Sequence, residues 1–272
     1  MKKKWTGERL ETYVYTRDTI DHLHRYAIIS KYVEGKVVLD IASGEGYGTN
    51  LISKKAKFVY GVDIDAQSVA DAKHKYQKEN IEFLVGSTDA IPLQDGSVDV
   101  LISYETIEHH DRHEEMMQEV KRVLKPGGIH IISTPDKYFY SDKRNFKNKF
   151  HVKELYKNEF VELLSKYFSK IQLLDQMFVN GNSIIYDAAE MAKSEVVSGD
   201  FSNITVEEKE ATYLIIIASD ESFIPHNLSV FNGIGVTSLE ENKLAAHFKN
   251  SNSYKVGSFI LAPFKFLKSL MK

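Results

Sequence analysis

The stretch Val37 to Ile52 reads VVLDIASGEGYGTNLI. A short apolar run ends in a burst of glycines, Gly44, Gly46 and Gly48, and an apolar pattern at helical spacing resumes behind them. An apolar run closed by a glycine turn predicts a buried strand, and the resumed pattern predicts a helix. In an open α/β sheet, ligands sit beyond the carboxyl ends of the strands, where the strand order reverses. The loop there must turn sharply and let a ligand approach the backbone, and glycine permits both because it lacks Cβ. Three glycines also cost more conformational entropy than a plain turn requires. They therefore read as a ligand cradle at the start of a helix.

Working outward, the same alternation continues. Residues 20–34 carry Ile20, Leu23, Ala27, Ile28 and Tyr32 at helical spacing. Strands are predicted at 36–42, 57–64, 81–86, 98–104, 129–134 and 170–179, and helices at 47–56, 66–79, 113–125 and 153–168. The Pro126-Gly127-Gly128 sequence stops the helix before the fifth strand. Strands alternating with helices predict an α/β fold, a doubly wound parallel sheet with helices on both faces. Residues 180–210 read as a polar, irregular insertion with one helix at 186–195. TYLIIIASD (212–220) is the most apolar strand, and it follows a non-helical detour, so it need not be parallel. Beyond Phe223 the composition thins into Asn, Ser and Gly.

Composition narrows the classes. The chain has 272 residues, 43% hydrophobic and 27% charged, as a soluble globular protein does. A net charge of −3 gives no global basic footprint for nucleic acid. No apolar run is long enough to span a membrane, and no apolar segment follows the basic start MKKK as in a signal peptide. The absence of cysteine excludes disulfides, thiolate zinc sites and cysteine nucleophiles. It is compatible with a cytoplasmic location.

The glycine loop departs from two phosphate-binding patterns. A dinucleotide fingerprint needs G-x-G-x-x-G, and Thr49 stands where the last glycine would be. No G-K-[ST] of a phosphate loop is present. Asp40, at the strand end, adds a carboxylate that an anion would not favour and a cation would. The loop thus points to a positively charged ligand.

LDIASGEGYGTNLI, GVDID, GSTDAIPLQDGSVDVLISYETIEHHDR and EVKRVLKPGGIHIISTP, in that order between Val37 and Pro135, resemble class I S-adenosylmethionine-dependent methyltransferases. The resemblance implies a seven-stranded, Rossmann-like, mostly parallel sheet whose last strand, 212–220, is antiparallel. It implies S-adenosylmethionine as cofactor. Asp40, Ala42, Gly44 and Gly46 would flank the methionine part. Asp63 would accept from the ribose hydroxyls, Ile64 would lie against the adenine, and Asp89 with Ala90 would meet its amino group. Tyr104 and Glu105 would face the same cleft. The segment before the first strand, residues 1–35, would form a lid helix, from which Tyr15 or Arg25 could reach the cofactor carboxylate. Helix-face packing is the alternative for either residue.

Methyl transfer to oxygen needs a proton acceptor, and histidine suits that near neutral pH. ETIEHHDRH offers Glu108 and His109 after the fourth strand, and NFKNKFHVKEL offers His151 after the fifth. These are the catalytic candidates. His110 and His113 read as helix-face histidines. His109 and His113 stand i, i+4, but the H-E-x-x-H pattern is not met, so no metal is assigned.

Residues 1–222 read as the methyltransferase domain and 223–272 as an extension. After Glu241 only basic charges follow, and FILAPFKFLKSLMK places Ile260, Phe264, Leu267 and Met271 on one helical stripe flanked by Lys265, Lys268 and Lys272. Such a basic amphipathic tail can lie on the inner face of an anionic membrane or dock on protein. This ending and GERLETY…HLHRYAIISKYVEGKVVLDIASGEGYGT are similar to enzymes of bacterial surface-polysaccharide clusters. That resemblance implies a sugar, nucleotide-sugar or glycan acceptor, or a phosphate on it. The alternatives are a quinone-like lipid or another small metabolite as acceptor, a non-catalytic cofactor-binding partner subunit, and a dehydrogenase. A nucleic-acid methyltransferase is disfavoured, because SYET stands where [DNS]-P-P-[YF] would be.

Overall fold

The structure, a computed structural model, describes residues 9–190, 195–258 and 261. Helices α1 (Arg17–Ile28) and α2 (Ser30–Val33) lead into β1 (Val37–Ile41), α3 (Tyr47–Ile52), β2 (Phe58–Asp63), α4 (Ala66–Lys75) and β3 (Ile81–Val85). Then come β4 (Val98–Tyr104), α5 (His113–Val123), β5 (Leu124–Pro135), α6 (Lys157–Tyr167), β6 (Lys170–Val179) and β7 (Asn182–Asp187). The chain continues through β8 (Val196–Gly199), β9 (Ile204–Glu207), β10 (Tyr213–Ser219), β11 (Leu228–Asn232) and α7 (Ile234–Asn250).

The main sheet has nine strands in the order β11-β7-β6-β10-β5-β4-β1-β2-β3. Strands β3, β2, β1, β4 and β5 are parallel neighbours. As the resemblance implies, β10 runs antiparallel between β5 and β6. Two antiparallel pairings, β6 with β7 and β7 with β11, extend the sheet beyond the expected seven strands. The irregular insertion is also corrected. The described residues of 186–195 are the end of β7 and a turn, not a helix, and β8–β9 form a separate antiparallel hairpin. NSIIYD buries Ser183, Ile185 and Tyr186, a short strand pattern easily masked by its polar flanks. Residues 223–258, where the composition thins into Asn, Ser and Gly, hold β11 and α7. Of the amphipathic tail, 259–260 and 262–272 lie outside the described residues.

Period-two alternation divides the core into two layers. Leu39, Ile41, Leu101, Ile132, Leu214 and Ile216 face Met116, Met117 and Val120 of α5 and Phe160 and Leu164 of α6. Val38, Val100, Ile102, Ile131, Ile215 and Ile217 face Ile28, Tyr32, Val33 and Ile52 on the other side. Full burial of each such side chain is worth about 1.5–3 kcal/mol. Helix α5 is set by its apolar stripe and by Glu114 and Glu115 in its first turn and Lys121 and Arg122 in its last, which complement the helix dipole. Helix α4 is capped by Asp65, whose side chain accepts from the backbone N–H of Gln67 and Ser68.

Helix α1 is unusual in turning charge inward, with Asp21, His24 and Arg25 buried beside Ile20 and Ile28. Their partners come largely from the strands that extend the sheet. Arg25 Nε donates to Gln176 Oε1 of β6 at 2.7 Å, and His24 lies between Ser183 Oγ of β7 (3.1 Å) and Ser229 Oγ of β11 (2.8 Å).

Candidate active site

Strand order reverses between β1 and β4, and a cavity of about 480 Å³ opens at their carboxyl ends. Its walls come from the loops after β1, β2, β3 and β4, from α1, and from the segment around Tyr140 to His151. At the strand ends beneath the cavity, Ala42 (φ 59°) after β1 and Glu105 (φ 49°) after β4 are left-handed without being glycine. Such conformations cost of order 1–3 kcal/mol each and concentrate at functional sites. Both residues line the cavity.

The glycine loop is less uniform than its sequence. Gly44 (φ +53°) lines the cavity, its N–H donates to Asp63 Oδ2 at 2.8 Å, and open space lies where its Cβ would be. Gly46 (φ +82°) is left-handed as well, but a Cβ there would meet the Phe83 ring at 2.8 Å, behind the wall. Gly48 admits the ring of Tyr26, which would stand 2.1 Å from an added Cβ. Gly44 therefore leaves open space on the cavity wall, and the other two glycines make room for the rings of Phe83 and Tyr26.

Asp40 needs correction too. It shares the face of Val38, so it points into the layer below the loop, where it is 1% exposed and off the cavity wall. Thr49 Oγ1 donates to Asp40 Oδ2 at 2.7 Å and Tyr26 Oη to Oδ1 at 3.3 Å. Burial pushes its carboxyl up to about 6, against the lowering effect of those hydrogen bonds. Thr49, the departure from the dinucleotide pattern, is thus the hydroxyl that holds this carboxyl.

Other expected cofactor residues divide the same way. Asp63 lines the cavity; besides Gly44 it accepts from Asp65 N–H at 2.9 Å and from Arg9 Nη2 at 3.3 Å. Ile64 is 70% exposed on the rim, an apolar surface that a flat base could cover. Asp89 lines the cavity, accepts from Ser87 Oγ at 2.5 Å and pairs with Arg112. Ala90 is turned away from the wall, with its N–H on the Ser87 carbonyl. Tyr104 lines the cavity and its hydroxyl donates to the Arg25 carbonyl at 3.0 Å.

Arg25 and Tyr15 do not reach the cavity wall. Arg25 is fully buried, 3.1 Å from Glu105 Oε1 and stacked over the Tyr213 ring at 4.4 Å. It stands behind Glu105, and Glu105 is the group that faces the cavity. Burial raises Glu105 while the Arg25 charge opposes that rise. Tyr15 is half-buried, with Lys243 Nζ 5.8 Å from its ring centroid.

The three catalytic candidates come together. His109 and His151 meet edge to face, with ring centroids 5.2 Å apart. His109 Nδ1 donates to the Phe150 carbonyl at 3.0 Å, and His151 Nδ1 lies 2.5 Å from Glu154 Oε1. In each ring this fixes the proton on Nδ1 and the lone pair on Nε2. Tyr140 stacks on His151 at 5.3 Å, and Asn148 Nδ2 donates to His151 Nε2 at 3.0 Å. Glu108 is buried beneath them and accepts from Thr134 Oγ1 at 3.2 Å. Burial, with the neighbouring Glu105 charge adding, pushes its carboxyl well above the usual range. His113, the i+4 partner of His109, faces the carbonyls of Ile107 (3.0 Å) and His110 (2.8 Å) instead.

Sequence reasoning missed Asp18, Tyr47, Asn148 and Tyr213 as wall residues, because nothing local marks them. The donor set fits S-adenosylmethionine. Six carboxyl groups line the cavity, of which Asp63 pairs with Arg9, Asp89 with Arg112, Glu45 with Lys75 and Glu105 with Arg25, while Asp18 and the buried Glu108 have no basic partner among the ion pairs of the described residues. The open space at Gly44 admits a ligand to the backbone, and Asp63 presents a carboxylate at the strand end where a ribose binds.

Comparison with known proteins agrees with this fit. Residues 39–132 match the family model described as a methyltransferase domain. A protein of Mycolicibacterium smegmatis, named as a probable S-adenosylmethionine-dependent methyltransferase, is 36% identical over 166 residues, 58% of this chain and 62% of its own length. A fatty-acid O-methyltransferase of the same organism is 26% identical over 133 residues, 46% of each chain. The chain thus spans less than two thirds of the length of either relative. Among solved structures, the YcgJ protein from Bacillus subtilis superposes with a TM-score of 0.55 at 18% identity, covering 74% of this chain and all of that one. At that identity the likeness shows the fold.

Proposed function

We propose that this chain, whose residues 39–132 form an S-adenosylmethionine-dependent methyltransferase domain, methylates an oxygen of a sugar, nucleotide-sugar or glycan, or of its phosphate, in surface-polysaccharide synthesis. The observation that carries the oxygen acceptor is the pair His109–His151, each with Nδ1 committed to an acceptor and Nε2 left as the basic nitrogen. Tyr140, Asn148 and Asp18 beside them offer a ring face and hydrogen-bonding groups suited to a sugar.

When bound, S-adenosylmethionine supplies an electrophilic methyl on a cationic sulfur. Asp63, held in place by the Gly44 N–H, would position the ligand at the strand ends. His151 Nε2, once released by the Asn148 amide, would hold the acceptor proton, and Glu154 would stabilise the imidazolium through Nδ1. Tyr140, stacked on the ring, holds its plane.

A second reading, methylation of a lipid oxygen, is favoured by one observation. The β8–β9 hairpin exposes Val197, Phe201, Ile204 and Val206, an apolar surface unusual on a soluble domain. The likeness to a fatty-acid O-methyltransferase points the same way. Peripheral contact with the inner membrane face through the basic tail belongs to either reading. No helix among the described residues is long and apolar enough to cross a membrane.

The test is product mass after incubation with labelled cofactor and two acceptor panels, nucleotide-sugars with oligosaccharides, and fatty acids with quinols. A gain of one methyl on a sugar hydroxyl, lost in His151→Asn, supports the leading reading. Methylation of the lipid panel alone overturns it in favour of the second.

A further inference from the structure

Glu108, His109 and His151 each present one ligand atom, and these atoms all lie within 4.8 Å of one another. We propose that the three side chains bind a divalent transition-metal ion of the zinc or manganese class, and that this ion holds the acceptor oxygen. The proposal rests on the oxygen-acceptor reading above and turns its two histidines from proton acceptors into ligands.

The cluster is built, not incidental. The Glu108 carbonyl accepts from the N–H of Val152 (2.8 Å) and Lys153 (3.1 Å), so backbone hydrogen bonds join the two segments that carry the ligands. Each imidazole is oriented through Nδ1, one by the Phe150 carbonyl and the other by the Glu154 carboxylate. Metal-bound histidines are supported by the same kinds of partner, which fix the tautomer and aim Nε2 at the ion. Ligands on one such ion stand roughly 3–4 Å apart, given bonds of about 2.0–2.2 Å. Closing from separations of at most 4.8 Å therefore takes no more than about 1–2 Å of side-chain movement. The ion would displace the Asn148 amide from His151 Nε2, and that amide keeps the Tyr140 hydroxyl, 3.1 Å away, as a partner.

Two imidazoles and one carboxylate suit zinc, manganese or iron better than magnesium or calcium, which prefer all-oxygen sets. Three protein ligands leave positions open, as catalytic sites require. Adjacent oxygens of the acceptor, such as a vicinal diol or a hydroxy acid, could occupy them and be held in place by the ion. The H-E-x-x-H pattern does not find this site, because its third ligand comes from the loop before α6 and not from one helix.

The experiment is calorimetric titration of the full, chelator-stripped chain with zinc and, separately, manganese, with cobalt as a visible-absorption probe. One ion per chain is expected, with cobalt ligand-field bands that report nitrogen ligands. Glu108→Gln, His109→Ala and His151→Ala should each weaken the ion about 100-fold or more, and Glu154→Gln about 10- to 100-fold. His74→Ala, on the surface of α4, should leave it unchanged. S-adenosylhomocysteine titrated into every variant reports an intact cofactor site. Pulsed electron paramagnetic resonance of the manganese form of the native chain should show two imidazole nitrogens, a readout that survives a variant failing to fold. No ion bound while S-adenosylhomocysteine binds would overturn the metal site and leave the methyltransferase reading standing. So would equal affinity in native chain and ligand variants, or no imidazole nitrogen at the manganese. Ion bound as expected without S-adenosylhomocysteine would support the site and overturn the methyltransferase reading alone.

Discussion

Replacing Asp40 by Asn tests the buried charge beneath the glycine loop. Asp40 is 1% exposed, and burial raises its carboxyl from 3.8 to about 6. The folded chain therefore binds its proton more tightly than the unfolded chain, and folding loses stability as pH rises from about 4 to above 6. The full cost is about 3 kcal/mol, since each pKa unit is worth about 1.36 kcal/mol. From the two pKa values, the cost is roughly 1.6 kcal/mol at pH 5 and about 3 kcal/mol at pH 8. Asn carries no such cost and retains an oxygen to accept from Thr49. The stability of Asp40→Asn minus that of the native chain should therefore rise by about 1.4 kcal/mol between pH 5 and pH 8. Urea unfolding followed by circular dichroism at several pH values measures this, and taking the difference cancels other titrating groups. A difference that stays flat across that range would refute a raised Asp40 carboxyl and the placement behind the loop that causes it.

Other outcomes follow from the packing. Gly44→Ala should cost only about 1–2 kcal/mol of stability, the left-handed penalty, yet sharply weaken S-adenosylhomocysteine, because its methyl enters the cavity. Gly46→Ala should instead lower the melting temperature more, since overpacking of about 1–3 kcal/mol against Phe83 adds to the same penalty. Paired thermal melts and titrations separate the two. Arg25→Met should destabilise by about 3–5 kcal/mol in urea unfolding, by leaving Glu105 without its buried partner. His24 and His130 are held near pKa 4 by burial, below their usual 6.5, so the stability they secure above pH 6.5 should drain away as pH falls towards 4. Unfolding of His130→Gln and of the native chain should converge in that window.

The parallel half of the sheet was legible because β1, β2, β3, β4 and β5 are apolar runs of strand length, bounded by turn residues, and antiparallel β10 was legible for the same reason. β7, β8, β9 and β11 were not, being short and half-polar, with β8 and β9 largely exposed. Gly44 after β1 and Asp63 at the end of β2, both singled out in the sequence, do line the cavity. Asp40 was misplaced although period-two alternation carried the answer, because it shares parity with Val38, which faces α1 and α3 rather than the cavity. Arg25 defeated the pattern for a physical reason. A helix is expected to turn charge outward, and α1 turns it inward against Glu105, Gln176 and Tyr213. The meeting of His109 with His151 depends on tertiary packing that no local spacing encodes.

The central claim is that the cavity over Gly44 and Asp63 binds S-adenosylmethionine. Calorimetric titration of the full chain with S-adenosylhomocysteine and with NAD, alongside Asp63→Ala, tests it most directly. Asp63 accepts from Gly44, Asp65 and Arg9, and a hydrogen bond to a charged group is worth about 1.5–3 kcal/mol. The account predicts binding of S-adenosylhomocysteine, none of NAD, and a loss of about 2 kcal/mol or more in the variant. Binding of NAD in place of S-adenosylhomocysteine, or undiminished binding without the Asp63 carboxylate, would contradict it.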